Sequence, residues 1–416
     1  MRDRYAEYKD SGLKWIGEIP AHWKTMRFKF IAQLINDKSI HDGKKYIGME
    51  NIESWTGKYL DMGEIVPESL CNNFCKGDIL FGKLRPYLAK AYIAEENGTC
   101  SSEILVFRTS SILRRYLFYL LLSFGFIEHI NSSTYGAKMP RANWDFIGKS
   151  YIPIPPQDEQ NVIVEFLDNK LHKLDHLINE RTDQFSMLTR YKRELIAKCV
   201  TKGLDKSAPM KPSGEDWIGD VPEHWNITKL KWMFEIVKRI YGKEDRDVLA
   251  ITQHGIKRKD MESNKGQYAE SYGTYQVVNV NDFAMNSMDL LTGWVDCSRY
   301  EGVTSPDYRV FRFYEDKPQC HAYFTYLFQM CYTNRIFYRL GQGVSNLGRW
   351  RLQTDQFRNI KLPQPPVEEQ ERIAAYLDEK IRQIDAAVAD ITSQIQKLKD
   401  YRRILIHDAV TGKIKI

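Results

Sequence analysis

Two segments of the chain carry apolar residues at a strict three–four spacing, the mark of a helix with one buried stripe. The first runs Val164, Leu167, Leu171, Leu174, Ile178, Arg181, Phe185, Leu188, Lys192, Leu195 and Cys199. The second runs Ala374, Leu377, Ile381, Ile384, Val388, Ile391, Ile395, Leu398, Arg402, Leu405 and Ala409, at the same intervals. Each is a heptad seam held over five heptads. Pro155, Pro156 and then Asp158, Glu159 and Gln160 precede the first; Pro365, Pro366 and then Glu368, Glu369 and Gln370 precede the second. Proline pre-sets a helix start, and acids in the first turn meet the positive end of the dipole. At ~1.5 Å per residue, roughly 40 residues give a rod of about 60 Å. Neither stripe is stable in water, so each needs a partner, and the simplest is the other copy. Polar Arg181, Lys192 and Arg402 would then fix register at some cost in stability. The competing arrangement lays each helix on its own domain.

The rest of the chain is also written twice. YKDSGLKWIGEIPAHW (Tyr8–Trp23) returns as MKPSGEDWIGDVPEHW (Met210–Trp225), and the text from Pro153 returns from Pro363. Between these anchors the likeness fades, although Gly98, Ser101, Glu103, Phe107 and Arg108 match Gly302, Ser305, Asp307, Phe311 and Arg312. Two copies are too few for a solenoid, so an internal pseudo-two-fold pair is expected. The middles read as α/β (α+β). Gly77–Tyr87, Ser102–Arg108, Tyr275–Met285 and Tyr308–Phe313 have strand character. Helices are expected near Tyr116–Ile130 and Ala322–Arg339, each leading into a glycine-bearing loop, Thr134–Arg141 and Gly341–Arg351. The expected division is a globular domain over 1–152, a helix over 153–206, a second globular domain over 207–362 and a helix over 363–416.

Composition narrows the class only a little. Sixty Lys and Arg against 54 Asp and Glu give a net charge of +6, compatible with nucleic acid and with many other partners. Cys71, Cys75, Cys100, Cys199, Cys297, Cys320 and Cys331 form no framework of pairs, which suits a reducing cytoplasm. The apolar run Tyr116–Ile127 is too short to cross a membrane, and the N-terminal residues have no apolar signal core. Gly77-x4-Gly82-Lys83 resembles a phosphate loop, but Leu84 stands where Ser or Thr would hold magnesium. Asp307, Glu315 and Lys317 have the residue types of a Mg²⁺-dependent nuclease, yet only the first acid has a counterpart in the other copy. No catalytic centre emerges.

Ser11-Gly12-x-x-Trp15-Ile16-Gly17-Glu18-Ile19-Pro20-x-His22-Trp23, its repeat at Ser213–Trp225, and the Pro-Pro-x-x-Glu-Gln helix starts resemble the DNA-specificity subunits of Type I restriction–modification systems. Gly255-Ile256-Lys257-Arg258 and Gly302-Val303-x-Ser305-Pro306-Asp307-Tyr308 resemble text of that family's target recognition domains, whereas Ser102-Glu103 departs from it. The resemblance implies two target recognition domains separated by an antiparallel coiled coil, each domain reading one half of an interrupted DNA site. It also implies docking of two methyltransferase subunits on the helices, with restriction subunits added. No cofactor is then expected in this chain: S-adenosylmethionine, ATP and Mg²⁺ belong to the partners. Specific readout needs Arg or Lys for guanine and Asn or Gln for adenine. Candidates are Lys83, Arg85, Lys138 and Arg141 in the first copy, and Lys257, Arg258, Gln342, Asn346, Arg349 and Arg351 in the second. A coiled-coil scaffold that binds no DNA is the alternative class.

Overall fold

The computed structural model describes residues 4–41, 43–63, 70–134, 139–243, 245–260, 271–317, 319–342 and 350–416. They form two compact units, residues 1–183 with 391–416, and residues 184–390.

In the first unit a hairpin (Tyr8–Leu13 against Gly17–Pro20) leads to strand Lys24–Arg27, which pairs antiparallel with Tyr151–Ile154. The start and end of the globular module are thereby stitched together. Between them lies an antiparallel sheet in the order Gln33–Ile35, Ile104–Arg108, Ile79–Gly82, Ala91–Ile93. Strand Ile79–Gly82 is buried throughout because its alternate side chains serve two cores. Ile79 and Phe81 join Phe107 beneath helices α1 (Arg114–Leu122) and α2 (Phe124–Asn131). Leu80 joins Ile104 and Val106 against Ile47, Phe74 and Cys100 of a second small sheet. Helix α3 (Trp144–Lys149) is capped by Asn143, whose side chain accepts from the Asp145 N–H, and α4 (Gln157–Lys202) follows.

The second unit repeats this plan. Hairpin Met210–Pro212/Asp220–Pro222 leads to Asn226–Lys229, which pairs with Lys361–Gln364. The sheet runs Phe234–Val237, Arg309–Phe313, Phe283–Met285, Val295–Cys297, strand for strand the first module's order. Register agrees as well: Leu105 faces Phe81 as Arg309 faces Met285. The helices are α5 (His321–Thr333), α6 (Ile336–Arg339), α7 (Thr354–Asn359) and α8 (Val367–Val410). Where the first module uses mixed apolar residues, the second packs Phe234, Phe283, Phe311, Phe313, Phe324 and Phe328 ring to ring.

Three expected elements are divided. The helix over Tyr116–Ile130 breaks at Ser123, whose backbone is extended and whose hydroxyl donates to the Leu120 carbonyl. The helix over Ala322–Arg339 breaks at Arg335, in the left-handed region at φ 58°. The expected strand Tyr275–Met285 is two strands, Gln276–Val278 and Phe283–Met285, because Asn279–Asp282 forms a turn with Asn281 at φ 70°.

The long helices explain the repeated motifs. In the first unit Glu159, in the first turn of α4, accepts from Trp23 Nε1 (2.9 Å) and Tyr5 Oη (2.9 Å) and meets His22 Nε2 at 2.5 Å. Burial alone would raise its pKa, but the hydrogen bonds from Trp23, His22 and Tyr5 outweigh burial and hold it below the usual carboxylate value. In the second unit Glu369 takes Trp225 Nε1 (3.0 Å) and His224 Nε2 (2.8 Å) in the same way. Gln160 accepts from the Leu113 N–H and donates to the Pro155 carbonyl, and Gln370 does the same with Cys320 and Pro365. The buried hydroxyl of Tyr116 donates to the Val410 carbonyl at 2.9 Å, and that of Tyr323 to the Val200 carbonyl at 2.9 Å. Each module thus binds the start of one long helix and the end of the other.

Within each unit α4 and α8 run antiparallel. In the first, Arg402 reaches Asp175 at 3.2 Å and the Trp55 carbonyl at 2.7 Å; in the second, Lys192 reaches Asp385 at 2.6 Å. Of the expected seam, Leu167, Leu171, Leu174, Leu377, Ile384 and Leu405 are buried, most of them within the module cores. Ile178, Leu188, Leu195, Ile381, Val388, Ile391, Ile395 and Leu398 are half-buried. Phe185 is exposed, against expectation. Paired helices without a third layer cover only part of such a stripe.

Candidate nucleic-acid interface

In the first module the sheet's central strand runs out at Gly82 into Lys83, Leu84 and Arg85, and the segment after α2 returns alongside. The Ala142 N–H donates to the Lys83 carbonyl (2.8 Å) and the Arg85 N–H to the Pro140 carbonyl (2.7 Å). Arg85 adopts φ 51°, which turns the chain sharply and leaves its side chain exposed. Lys83 and Arg141 line a cleft of about 860 Å³ together with Trp144, Phe146 and Lys149. Arg141 is held by Glu103 through two bonds, 3.0 Å from Nε and 3.2 Å from Nη2. That pair is solvent-screened, so the guanidinium can be redirected cheaply. The structure therefore brings Lys83, Arg85 and Arg141 together; Lys138 lies outside the described residues.

The second module closes a stem onto its sheet at the same place. The Leu352 N–H donates to the Ser287 carbonyl (3.1 Å), the counterpart of the Ala142–Lys83 bond. Gln342 and Arg351 exchange backbone hydrogen bonds of 3.0 Å in both directions, and both side chains are exposed. Asn346 and Arg349 lie outside the described residues. Lys257 and Arg258 are exposed on the strand Gly255–Arg258, in the layer around Leu249, Ile256 and Val278 rather than in the Gln342–Arg351 stem. Arg258 pairs with Asp247 at 3.1 Å and lies 5.4 Å from the Tyr300 ring.

The nuclease alternative fails on geometry. Asp307 and Glu315 flank the strand Arg309–Phe313, whose five residues alone extend about 17 Å. Lys317 donates to the Trp232 carbonyl, and Glu315 sits beside Arg312. The shared serine–acid pair is turn chemistry: the Asp307 N–H meets Ser305 Oγ as the Glu103 N–H meets Ser101 Oγ. Among the described residues no group of three His, Cys, Asp or Glu could hold a metal. Ile79–Gly82, the core of the apparent phosphate loop, is a strand bonded on both edges. Among the described residues no helix is long and apolar enough to cross a membrane, and none of the seven cysteines is in a disulfide.

Sequence reading missed the ion pairs that brace these sheets. Arg108 makes two 2.7 Å bonds to buried Asp78, and Arg312 makes one of 2.6 Å to Glu235. It also missed Arg309, 8% exposed in mid-sheet. The signal was available, since Arg309 stands where the other copy has Leu105.

Residues 20–184 and 222–397 each match the Type I restriction modification DNA specificity domain family, which covers most of the chain in two tandem copies. The chain belongs to this family. It is accordingly a Type I restriction–modification specificity subunit with two DNA recognition domains, and the alternative of a scaffold unrelated to DNA falls away. The EcoDI specificity subunit of Escherichia coli is 27% identical over 44% of this chain and 43% of its own length. The MjaVIII specificity subunit of Methanocaldococcus jannaschii is 24% identical over 72% of this chain and 70% of its own. A chain from a solved structure described as the basis of complex assembly and conformational transition of the type I R-M system has the same fold. Its TM-score is 0.69 at 16% identity, over 95% of this chain and 99% of that one.

Proposed function

We propose that this specificity subunit reads a two-part asymmetric DNA site, one module to each half, through the stems at Lys83–Arg85/Arg141 and Gln342/Arg351. The reading rests above all on one observation: the same four-stranded sheet, carrying a basic stem at the same place, is built twice. A duplicated reader on one chain suits a site with two unlike halves, because each module is free to diverge at its loops while the clasp residues stay fixed. The paired helices α4 and α8 act as a coiled-coil spacer that sets the unread gap, and they carry two methyltransferase subunits, to which restriction subunits add. The chain itself is non-catalytic. Methyl transfer from S-adenosylmethionine and the ATP- and Mg²⁺-dependent steps take place on the partners, in the cytoplasm, which suits seven cysteines outside any disulfide.

A methylation map tests this directly. DNA from cells expressing the cognate modification subunit gains a two-part methylated motif only when this chain is present. Exchanging residues 24–150 for those of a relative alters one half of the motif and leaves the other half intact. No new methylation despite a soluble complex, or a change in both halves, would refute the division of labour.

A further inference from the structure

Building on the reading of this chain as a two-module DNA reader, we infer that the second module grips a backbone phosphate of duplex DNA at Arg351, backed by the buried charge of Arg309. The first module has no counterpart to this anchor. The two stems close on the sheet with the same bond, Ala142 N–H to the Lys83 carbonyl and Leu352 N–H to the Ser287 carbonyl, so the charges beside that bond can be compared. Arg141 and Arg351 occupy matching places, one residue before Ala142 and Leu352, whose N–H groups close the two stems. In the first module Glu103 neutralises Arg141 through two bonds, and the residue beneath is apolar Leu105. In the second module Arg351 has no ion-pair partner among the described residues, and the residue beneath is Arg309.

Arg309 is an unusual residue to bury in mid-sheet. Its Nη2 donates to the Leu352 carbonyl at 2.9 Å and to Thr354 Oγ1 at 3.4 Å, and its guanidinium lies 4.5 Å from the Phe357 ring. Nη1, however, is shut off from water with no hydrogen-bond partner. Burial, partly offset by Tyr332 and reinforced by Arg351, lowers its pKa to about 10, so the group remains charged at neutral pH beside a second cation. No carboxylate among the described residues forms an ion pair with it. A buried cation without a counter-ion is costly, and the cost falls when an anion arrives. The bond to the Leu352 carbonyl also fixes the backbone from which Arg351 projects. A phosphodiester supplies the missing negative charge, and the planar guanidinium of Arg351 can hold two of its oxygens. Arg351 is the contact; Arg309 is a positioning residue whose charge, shielded from solvent, is little screened by salt.

The test uses the intact complex with its modification subunits and a short duplex carrying the mapped motif. Binding is measured by fluorescence anisotropy between ~50 and ~200 mM KCl. Each phosphate contact contributes about 0.9 to the slope of log K against log salt. R351Q and R309M each lower the slope by about that amount, while R309K, which keeps the charge, retains most of it. A single neutral methylphosphonate is then moved through the half-site of the second module. One position costs the wild type about tenfold and costs R351Q nothing further. An R351Q slope equal to wild type, or methylphosphonates that cost both proteins alike, overturns the inference while leaving the two-module reading in place. Inhibition by inorganic phosphate beyond that of KCl at equal ionic strength would mark a free-anion site and overturn the DNA assignment. If the wild-type complex shows no site-specific binding, the two-module reading fails and takes this inference with it.

Discussion

His407, in the last turn of α8, gives the first unit a sensitivity to acid that can be worked out from its surroundings. The side chain is 7% exposed, its ring centroid is 4.0 Å from that of Phe124, and Nδ1 is buried without a partner. Burial, helped by Lys413, lowers the imidazole pKa to about 4. Between that value and the unfolded value of about 6.5, the unfolded chain binds a proton that the folded one refuses. The folded pKa lies below the unfolded one, so the stability is whole above about pH 6.5 and is lost as pH falls. From the two pKa values the loss is about 1.4 kcal/mol at pH 5.5, growing to roughly 3 kcal/mol below pH 4. Lys413 itself lies near Glu18, Asp408 and Arg4. His407→Leu keeps the volume, removes the orphaned nitrogen and removes the proton site. Urea unfolding near neutral pH and at about pH 5.5, followed by hydrogen exchange of residues 405–416, should show the wild type losing about 1.4 kcal/mol more than the variant. Equal losses would refute the reasoning.

The two ion pairs between the long helices should differ sharply. Arg402→Met removes a 7% exposed guanidinium from Asp175 and from the Trp55 carbonyl, a loss of about 3 kcal/mol that leaves Asp175 only Lys58. Lys192→Met, at a pair 32% and 54% exposed, should cost under about 1 kcal/mol, and similar midpoints in urea would contradict the contrast. The two glycines after the helices should also rank. Gly412→Ala places a Cβ 2.4 Å from Pro20 Cδ at φ +69°, whereas Gly203→Ala meets nothing closer than 3.1 Å at φ +73°. Thermal unfolding should therefore show the larger drop for Gly412→Ala, by upwards of about 1 kcal/mol beyond the left-handed strain common to both.

The long helices were legible because a heptad stripe depends only on local spacing, and their starts because proline and acids act within one turn. The reasons behind the repeated motifs were not legible. His22-Trp23 and Glu159 meet across more than a hundred residues, and nothing in either segment names the other. The breaks at Ser123 and Arg335 were not read as helix ends because apolar residues resume on the far side of both. Phe185 kept the seam's period but lacks a module to cover it, since period reports the direction of a side chain and not what lies opposite. Of the proposed contacts, Lys83, Arg85, Arg141, Gln342 and Arg351 fall on matched stems, while Lys257 and Arg258 belong to another layer. Loops rich in Lys, Arg, Asn and Gln could be seen in the sequence; the strand register that puts Arg309 beneath one of them could not.

The first unit is discontinuous in sequence, and this bears on how the molecule is made. Residues 184–390 are contiguous and can close as soon as they have been synthesised. Residues 1–183 emerge earlier but lack Leu405, Ile406, Ala409 and Val410, which complete their core, and the Gly412 carbonyl that Tyr8 binds. At about 5–20 residues per second, the ribosome holds that incomplete core open for roughly ten to forty seconds. Leu167, Leu171 and Leu174 belong to that same cluster, which lacks its last members during the interval. The module translated first is therefore the one finished last.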